Sequence, residues 1–256
     1  MPEHSLRRLQ GILEALLGPE GCPWDKKQTP NSLADYLVEE THELVEAIRA
    51  EKNEDIREEL GDVWFLLLFV GILMERAGAF TVNEALEQAA AKMVRRHPHV
   101  FADAKFEDMN ALWANWEKEK KKEKNGRSPF AGIPASLPPL LKAYRLHSKA
   151  ARLGFTWQNE DEVRRQMDQE WREWEQAEAA GDREGARVEF GDYLFTLVEF
   201  GRRNGHKANE ALDLANRKFL ARFERVIGLA ERRGIALETL DPEGWNSLWN
   251  EVKRGQ

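Results

Sequence analysis

A chain of 256 residues, 42% hydrophobic and 32% charged, is able to bury a sizeable core, which excludes a disordered or low-complexity protein. The net charge of -7 argues against a general nucleic-acid binder while leaving room for a local basic groove. The single cysteine, Cys22, excludes an internal disulfide or a thiolate metal cluster and agrees with a cytoplasmic protein.

Apolar residues recur with the helical period almost throughout and no alternating strand pattern occurs, which predicts an all-α chain without significant sheet. A first helix is predicted over about 4–17, in a segment that lacks a signal-peptide core. It is ended by the turn-like GPEGCPWD, whose Trp24 is expected to cap the core. Thr29-Pro30 predicts the start of a helix running to about Ala50, by a possible N-cap with proline in the first turn. The chain then reverses near Lys52 to Asp55, so the next helix, from near Asn53 to near Glu75, is expected to lie antiparallel to it. That helix contains the apolar run from Val63 to Met74, too short to span a bilayer, so no membrane partner is expected.

Thr81 with Glu84 has the capping-box spacing for a helix that ends at Arg96, before His97-Pro98, and another helix is predicted over about 103–122. The composition then shifts to KKEKNGRSPFAGIPASLPP, charged and afterwards rich in Pro, Gly and Ser. This predicts a linker at 125–139 between domains at 1–124 and 140–256. Beyond it, helices are predicted over 138–152, 160–179, 184–203, 208–232 and 242–253. Asn159 with Glu162 caps the second of these, and Asp241-Pro242 opens the last.

The acids of the first half fall in two helical sets. Glu39, Glu40 and Glu43 stand at i, i+1 and i+4, and Glu59 and Asp62 at i and i+3, so an antiparallel helix pair can converge all five. Most acids simply face water. Here Asp62 opens the apolar run, and acids at the mouth of a buried helix repel one another unless a cation joins them. Hard oxygen ligands at this spacing suit Mg2+, with Mn2+ as a second choice.

The second half repeats this pattern. Gln169, Glu170 and Glu173 are followed, at the interval that separates Glu43 from Glu59, by Glu189 and Asp192, and Asp192 again leads into an apolar stretch. Downstream, Asn83-Glu84-Ala85-Leu86 matches Asn209-Glu210-Ala211-Leu212, Lys92 and Arg96 match Lys218 and Arg222, and Asn110-Ala111-Leu112-Trp113 matches Asn246-Ser247-Leu248-Trp249. Matched anchors in the same order predict two tandem repeats of a four- to five-helix bundle unit.

Carboxylates that hold Mg2+ are most useful when the substrate is anionic and brings further oxygen ligands, and phosphates are the common case. Each half supplies basic partners for such a substrate: Arg57, Lys92, Arg95 and Arg96 in the first, Arg187, Lys218 and Arg222 in the second. Taken singly, each is as well explained by solvation. Glu40 or Glu43 is positioned to act as the general base toward water. Trp113 and Trp249 are more often core residues, but either could stack on a base. A di-iron carboxylate site would need Glu-x-x-His from two helices. Glu39 and His42 fit that spacing once, and the second half has no histidine at the matching position.

EExxE followed by ExxD, here Glu39, Glu40, Glu43, Glu59 and Asp62, resembles the all-α nucleoside triphosphate pyrophosphohydrolases of the MazG family. PWD, REELGD, NEAL and KMVRRHPHVF in the first half, and KAARLGFTW and ANRKFLARF in the second, are similar to the same family's longer signature. The resemblance implies a two-domain helical homodimer that requires Mg2+. It implies splitting of nucleoside triphosphates between the α and β phosphates, with wide tolerance of base and a housekeeping role in nucleotide pools. Gln169 departs from the pattern where an acid is expected, which leaves open which half dominates. A narrow-specificity all-α dUTP or dCTP pyrophosphatase, and a non-catalytic nucleotide-sensing or scaffold protein, are the alternatives.

Overall fold

The computed structural model describes residues 2–123 and 128–255, so residues 125–127 at the start of the predicted linker lie outside the described residues. Among the described residues there are helices, turns and loops and no strand, as the all-α expectation requires. Contacts divide the chain into two compact units, Met1–Asn125 and Gly126–Gln256.

In the first unit, α1 (Pro2–Leu16) packs on α3 (Asn53–Arg76), and α3 pairs along its length with α2 (Leu33–Arg49). The apolar period of each helix explains the core they share. Leu13 and Leu17, Leu33, and Leu66, Leu68, Phe69 and Ile72 lose nearly all contact with water and form one cluster. Burying each such side chain stabilises the fold by about 1.5–3 kcal/mol. Arg76 closes the far end of α3 by donating to the Leu17 carbonyl at 2.8 Å. The reversal between α2 and α3 puts Glu51 in the left-handed region (φ 55°). The corresponding turn of the second unit uses Gly181 (φ 71°), which adopts that conformation without a side-chain clash.

The predicted start at Thr29-Pro30 is corrected to Leu33. Thr29 and Ser32 bond each other's backbone N–H groups, at 2.9 and 3.1 Å, and this closed turn holds Pro30 outside the helix. The capping box of α4 (Val82–Arg96) forms as expected, with Thr81 accepting from Glu84 N at 3.1 Å and Glu84 accepting from Thr81 N at 2.6 Å. The helix predicted over 103–122 starts later, as α6 (Met109–Glu123), and a short helix the sequence reading did not predict, α5 (Pro98–Phe101), precedes it. Asp108 supplies the acceptor for Ala111 N at 2.7 Å, and this cap sets the later start.

The second unit contains α7 (Pro139–Arg152), α8 (Glu160–Ala180), α9 (Arg183–Arg203), α10 (Ala208–Arg233) and α11 (Pro242–Arg254). Its closest pairing is α8 with α9, and α7 and α10 pack on α9. Asn159 and Asp241 cap α8 and α11 by accepting from Glu162 N and Gly244 N. Val226, Ala230 and Leu248 form the buried seam between α10 and α11. The core around α9 differs in kind from that around α3, because it buries His147, Thr196 and Glu199 beside Val198.

Candidate metal centre

The α2–α3 pair brings Glu40 and Glu43 of one helix against Glu59 of the other. Each offers a carboxylate oxygen, and the three oxygens lie within 4.8 Å of one another. Asp62 stands one turn further along α3, and Glu39 is on the exposed side of α2. The charges act on one another through this spacing. Burial, then repulsion from Asp62, Glu43 and Glu39, holds the Glu40 carboxyl above the usual carboxylate range, and a hydrogen bond with Glu59 partly offsets this. Glu59 is raised in the same way, by desolvation and then by Glu43, Glu40, Asp62 and Glu58.

The α8–α9 pair assembles Glu170, Glu173 and Glu189 within the same 4.8 Å. Glu189 is raised by desolvation and by Glu173, Asp192 and Glu170. The two sites differ in their neighbours. Glu170 is nearly buried and accepts from Gln166 Nε2 at 2.6 Å, while Gln169 Nε2 donates to Glu173 at 2.9 Å. Gln169 stands in place of an acid, and its amide is spent on restraining a carboxylate.

Apart from Arg57 and Arg187, the basic residues are on other helices than the acids. Lys92 and Arg96 share the half-buried side of α4, and Arg95 its exposed side. The Arg96 guanidinium lies 5.4 Å over the Trp116 ring. Lys218 and Arg222 are on α10, which packs on α9 as α4 packs on α3. Arg57 is exposed on α3. Arg187 is paired with Glu184 at 2.6 Å, one turn back on α9. Trp113 is 47% exposed on α6, whereas Trp249 packs against the α10–α11 seam with its ring 5.3 Å from that of Phe219.

A pocket of about 180 Å³ adjoins the first acid cluster, lined by Trp24, Leu33, Tyr36, Phe65 and Phe69 with Glu40 and Asp62 at its edge. Trp24 does not cap the core, as its place in the turn suggested. It is 53% exposed and meets Tyr36 edge-on at 6.0 Å, because the buried member of that turn is Asp25. Tyr36 was not singled out from the sequence. The available signal was its place one helical turn before Glu40 on the face that carries the acid.

Carboxylate oxygens gathered from two helices, among them Glu40, Glu59 and Glu189 whose proton affinity is raised by desolvation and then by their acidic neighbours, are a donor set that a hard divalent cation fits.

The model for the MazG nucleotide pyrophosphohydrolase domain matches residues 28–101, which contain the first cluster. The chain is 37% identical over 259 residues to a nucleoside triphosphate pyrophosphohydrolase of Escherichia coli strain K12, covering 98% of both proteins. It is 38% identical over 250 residues to a nucleoside triphosphate pyrophosphohydrolase/pyrophosphatase MazG of Thermotoga maritima, covering 96% of this chain and 95% of that one. A nucleoside triphosphate pyrophosphohydrolase of Mycobacterium tuberculosis is 34% identical over 134 residues, 52% of this chain and 41% of the relative.

Proposed function

The chain belongs to the MazG family of nucleoside triphosphate pyrophosphohydrolases, and from that premise we propose that it hydrolyses nucleoside triphosphates to the monophosphate and pyrophosphate in a Mg2+-dependent reaction with broad base tolerance. The observation that carries this reading is the pair of glutamate triads, each with three oxygens within 4.8 Å. Glu39, Glu40, Glu43, Glu59 and Asp62 would hold the cation in the first half, and Glu170, Glu173, Glu189 and Asp192 in the second. A bound Mg2+ would neutralise triphosphate charge and make an adjacent water easier to deprotonate.

The chain's own groups account for the rest. Glu40 or Glu43 takes the proton of the attacking water. The water oxygen bonds to the α-phosphorus, the α–β bridging P–O bond breaks, and pyrophosphate leaves. Lys92, Arg95 and Arg96 meet the phosphate oxygens of a substrate held in the first unit, and Lys218 and Arg222 those of a substrate held in the second. The aromatic pocket of Trp24, Tyr36 and Phe65 receives the base by stacking on its faces, which all bases present, and this supports tolerance of the base.

Purified chain incubated with each common NTP and dNTP plus Mg2+ is expected to release pyrophosphate and the monophosphate, and chelation to abolish release. Orthophosphate with the diphosphate would contradict the bond assignment. Turnover confined to dUTP or dCTP would favour the narrow-specificity enzyme, and no product with any triphosphate would favour a nucleotide sensor or scaffold.

The proposed assembly is a cytoplasmic homodimer of two-domain chains. Its support is the exposed apolar side of α3 and α9, where Leu60, Trp64 and Leu67, and Phe190, Leu194 and Leu197, remain in contact with water. Light scattering at micromolar concentration is expected to return twice the chain mass. Limited proteolysis is expected to cut first within 125–139, and first cuts inside α3 would contradict that boundary.

A further inference from the structure

Apart from Glu170, the buried polar residues of the second unit, His147, Thr196 and Glu199, have no part in the hydrolysis as described above. In the register that aligns Asp62 with Asp192, Phe65 aligns with Phe195, Phe69 with Glu199 and Ile72 with Arg202. Phe69 and Ile72 belong to an all-apolar cluster with Leu13. Glu199 is just as buried, at 1% exposure, and is held by Arg202 Nε at 2.6 Å and Nη2 at 2.8 Å. His147 of α7 is 6% exposed and lies beside it, with Nδ1 3.7 Å from Glu199 Oε2. A carboxylate and an imidazole in a core are costly unless some interaction requires them.

Both line a pocket of about 250 Å³ whose walls are Phe130, Phe155, Trp157 and Phe195. The loop that carries Trp157 is fixed by Arg203, which donates to Thr156 Oγ1 at 3.2 Å and to the Trp157 carbonyl at 3.1 Å. The hydrogen bonds determine what the polar floor presents. His147 Nε2 is 3.0 Å from the Phe195 carbonyl, which can only accept, so Nε2 carries the proton. In the neutral ring Nδ1 is then an acceptor, and burial, ahead of its neighbours, favours the neutral ring. Nδ1 and Glu199 Oε2, which accepts from Arg202 Nε and keeps a second lone pair, are therefore two acceptors side by side at the floor of an aromatic slot.

Asp192, Phe195 and Glu199 follow one face of α9 at i, i+3 and i+7, which sets the floor about 10 Å along the helix from the acids. That is comparable to the reach from a nucleotide's α-phosphate to the far edge of its base. We propose that Glu199 and His147 form a base-reading edge in the second unit, selecting adenine or cytosine, whose exocyclic amino group donates to both acceptors, over hypoxanthine or uracil, whose carbonyl at that position is repelled. The first unit, with Phe69 at the matching place, has no such edge and does not discriminate. The assignment rests on the reading of the chain as a nucleotide hydrolase, but recognition of the base can be measured without turnover.

Calorimetric titration of the full chain with AMP, IMP, CMP and UMP, which have no triphosphate to hydrolyse, tests it. AMP and CMP are expected to bind one site about tenfold more tightly than IMP and UMP, the effect of one satisfied hydrogen bond against one opposed. His147→Leu, which places in α7 the kind of residue that Leu13 provides in α1, is expected to bring both ratios to about one. Glu199→Gln offers an amide donor and is expected to narrow or reverse the preference. Should that variant fail to fold, His147→Leu decides the matter. Equal affinities in the wild-type chain, or a preference that survives His147→Leu, would overturn the proposal and leave the network a purely structural one. Loss of pyrophosphate release in the enzyme assay, with the AMP-over-IMP preference intact, would instead remove the hydrolase reading alone.

Discussion

Glu43→Gln or Asp62→Asn is expected to lower kcat by about a hundredfold or more while leaving the helical content unchanged, because each removes a charge from the proposed cation site and none of the apolar core. Glu43 is exposed and belongs to the triad with Glu40 and Glu59, and Asp62 is the strongest of the charges acting on Glu40. Glu173→Gln and Asp192→Asn are expected to cost less. Gln169 contributes no charge to the second cluster, and its amide already donates to Glu173 at 2.9 Å, so a cation there meets a weaker field. The measurement is kcat for the four single variants beside a Mn2+ titration of each, which reads the cation site without turnover. A dead Glu173→Gln with Glu43→Gln near wild type would make the second unit the catalytic one.

The helices and the acids were legible in the sequence for one physical reason, the period of the α-helix. Asp62, Leu66 and Phe69 declare a buried face with an acid at its mouth, and Glu40 and Glu43 declare a carboxylate face beside it. The caps at Thr81, Asn159 and Asp241 were equally legible, since a short polar side chain before a helix has few other tasks. What was not legible depends on contacts between elements. Thr29-Pro30 has the composition of a helix start, and only the closed turn with Ser32 moves it outside. Trp24 reads as core by hydrophobicity, and only the packing of Asp25 beneath it turns the ring toward Tyr36 and Glu40. Glu199 and Arg202, at i and i+3, were not singled out, because nothing local says that α7 packs over them.

That covered pair is the site of the other large effect. Arg202→Met is expected to destabilise the chain by about 3–5 kcal/mol, since it leaves Glu199 charged in a place that water hardly reaches. Replacing both partners by the residues that occupy their positions in the first half, Glu199→Phe with Arg202→Ile, removes the charges together. Breaking one side of a buried ion pair is severe, whereas exchanging the whole pair for packed apolar side chains is commonly neutral or stabilising by about 1–4 kcal/mol. The double variant is therefore expected to be at least as stable as wild type, even though it contains the damaging position. Chemical denaturation of the three proteins checks this. Arg202→Met within about 1 kcal/mol of wild type would mean that water reaches Glu199, contrary to its burial. A stable double variant that has lost the preference for AMP over IMP would show that the ion pair is kept for the ligand it faces, since the fold does without it.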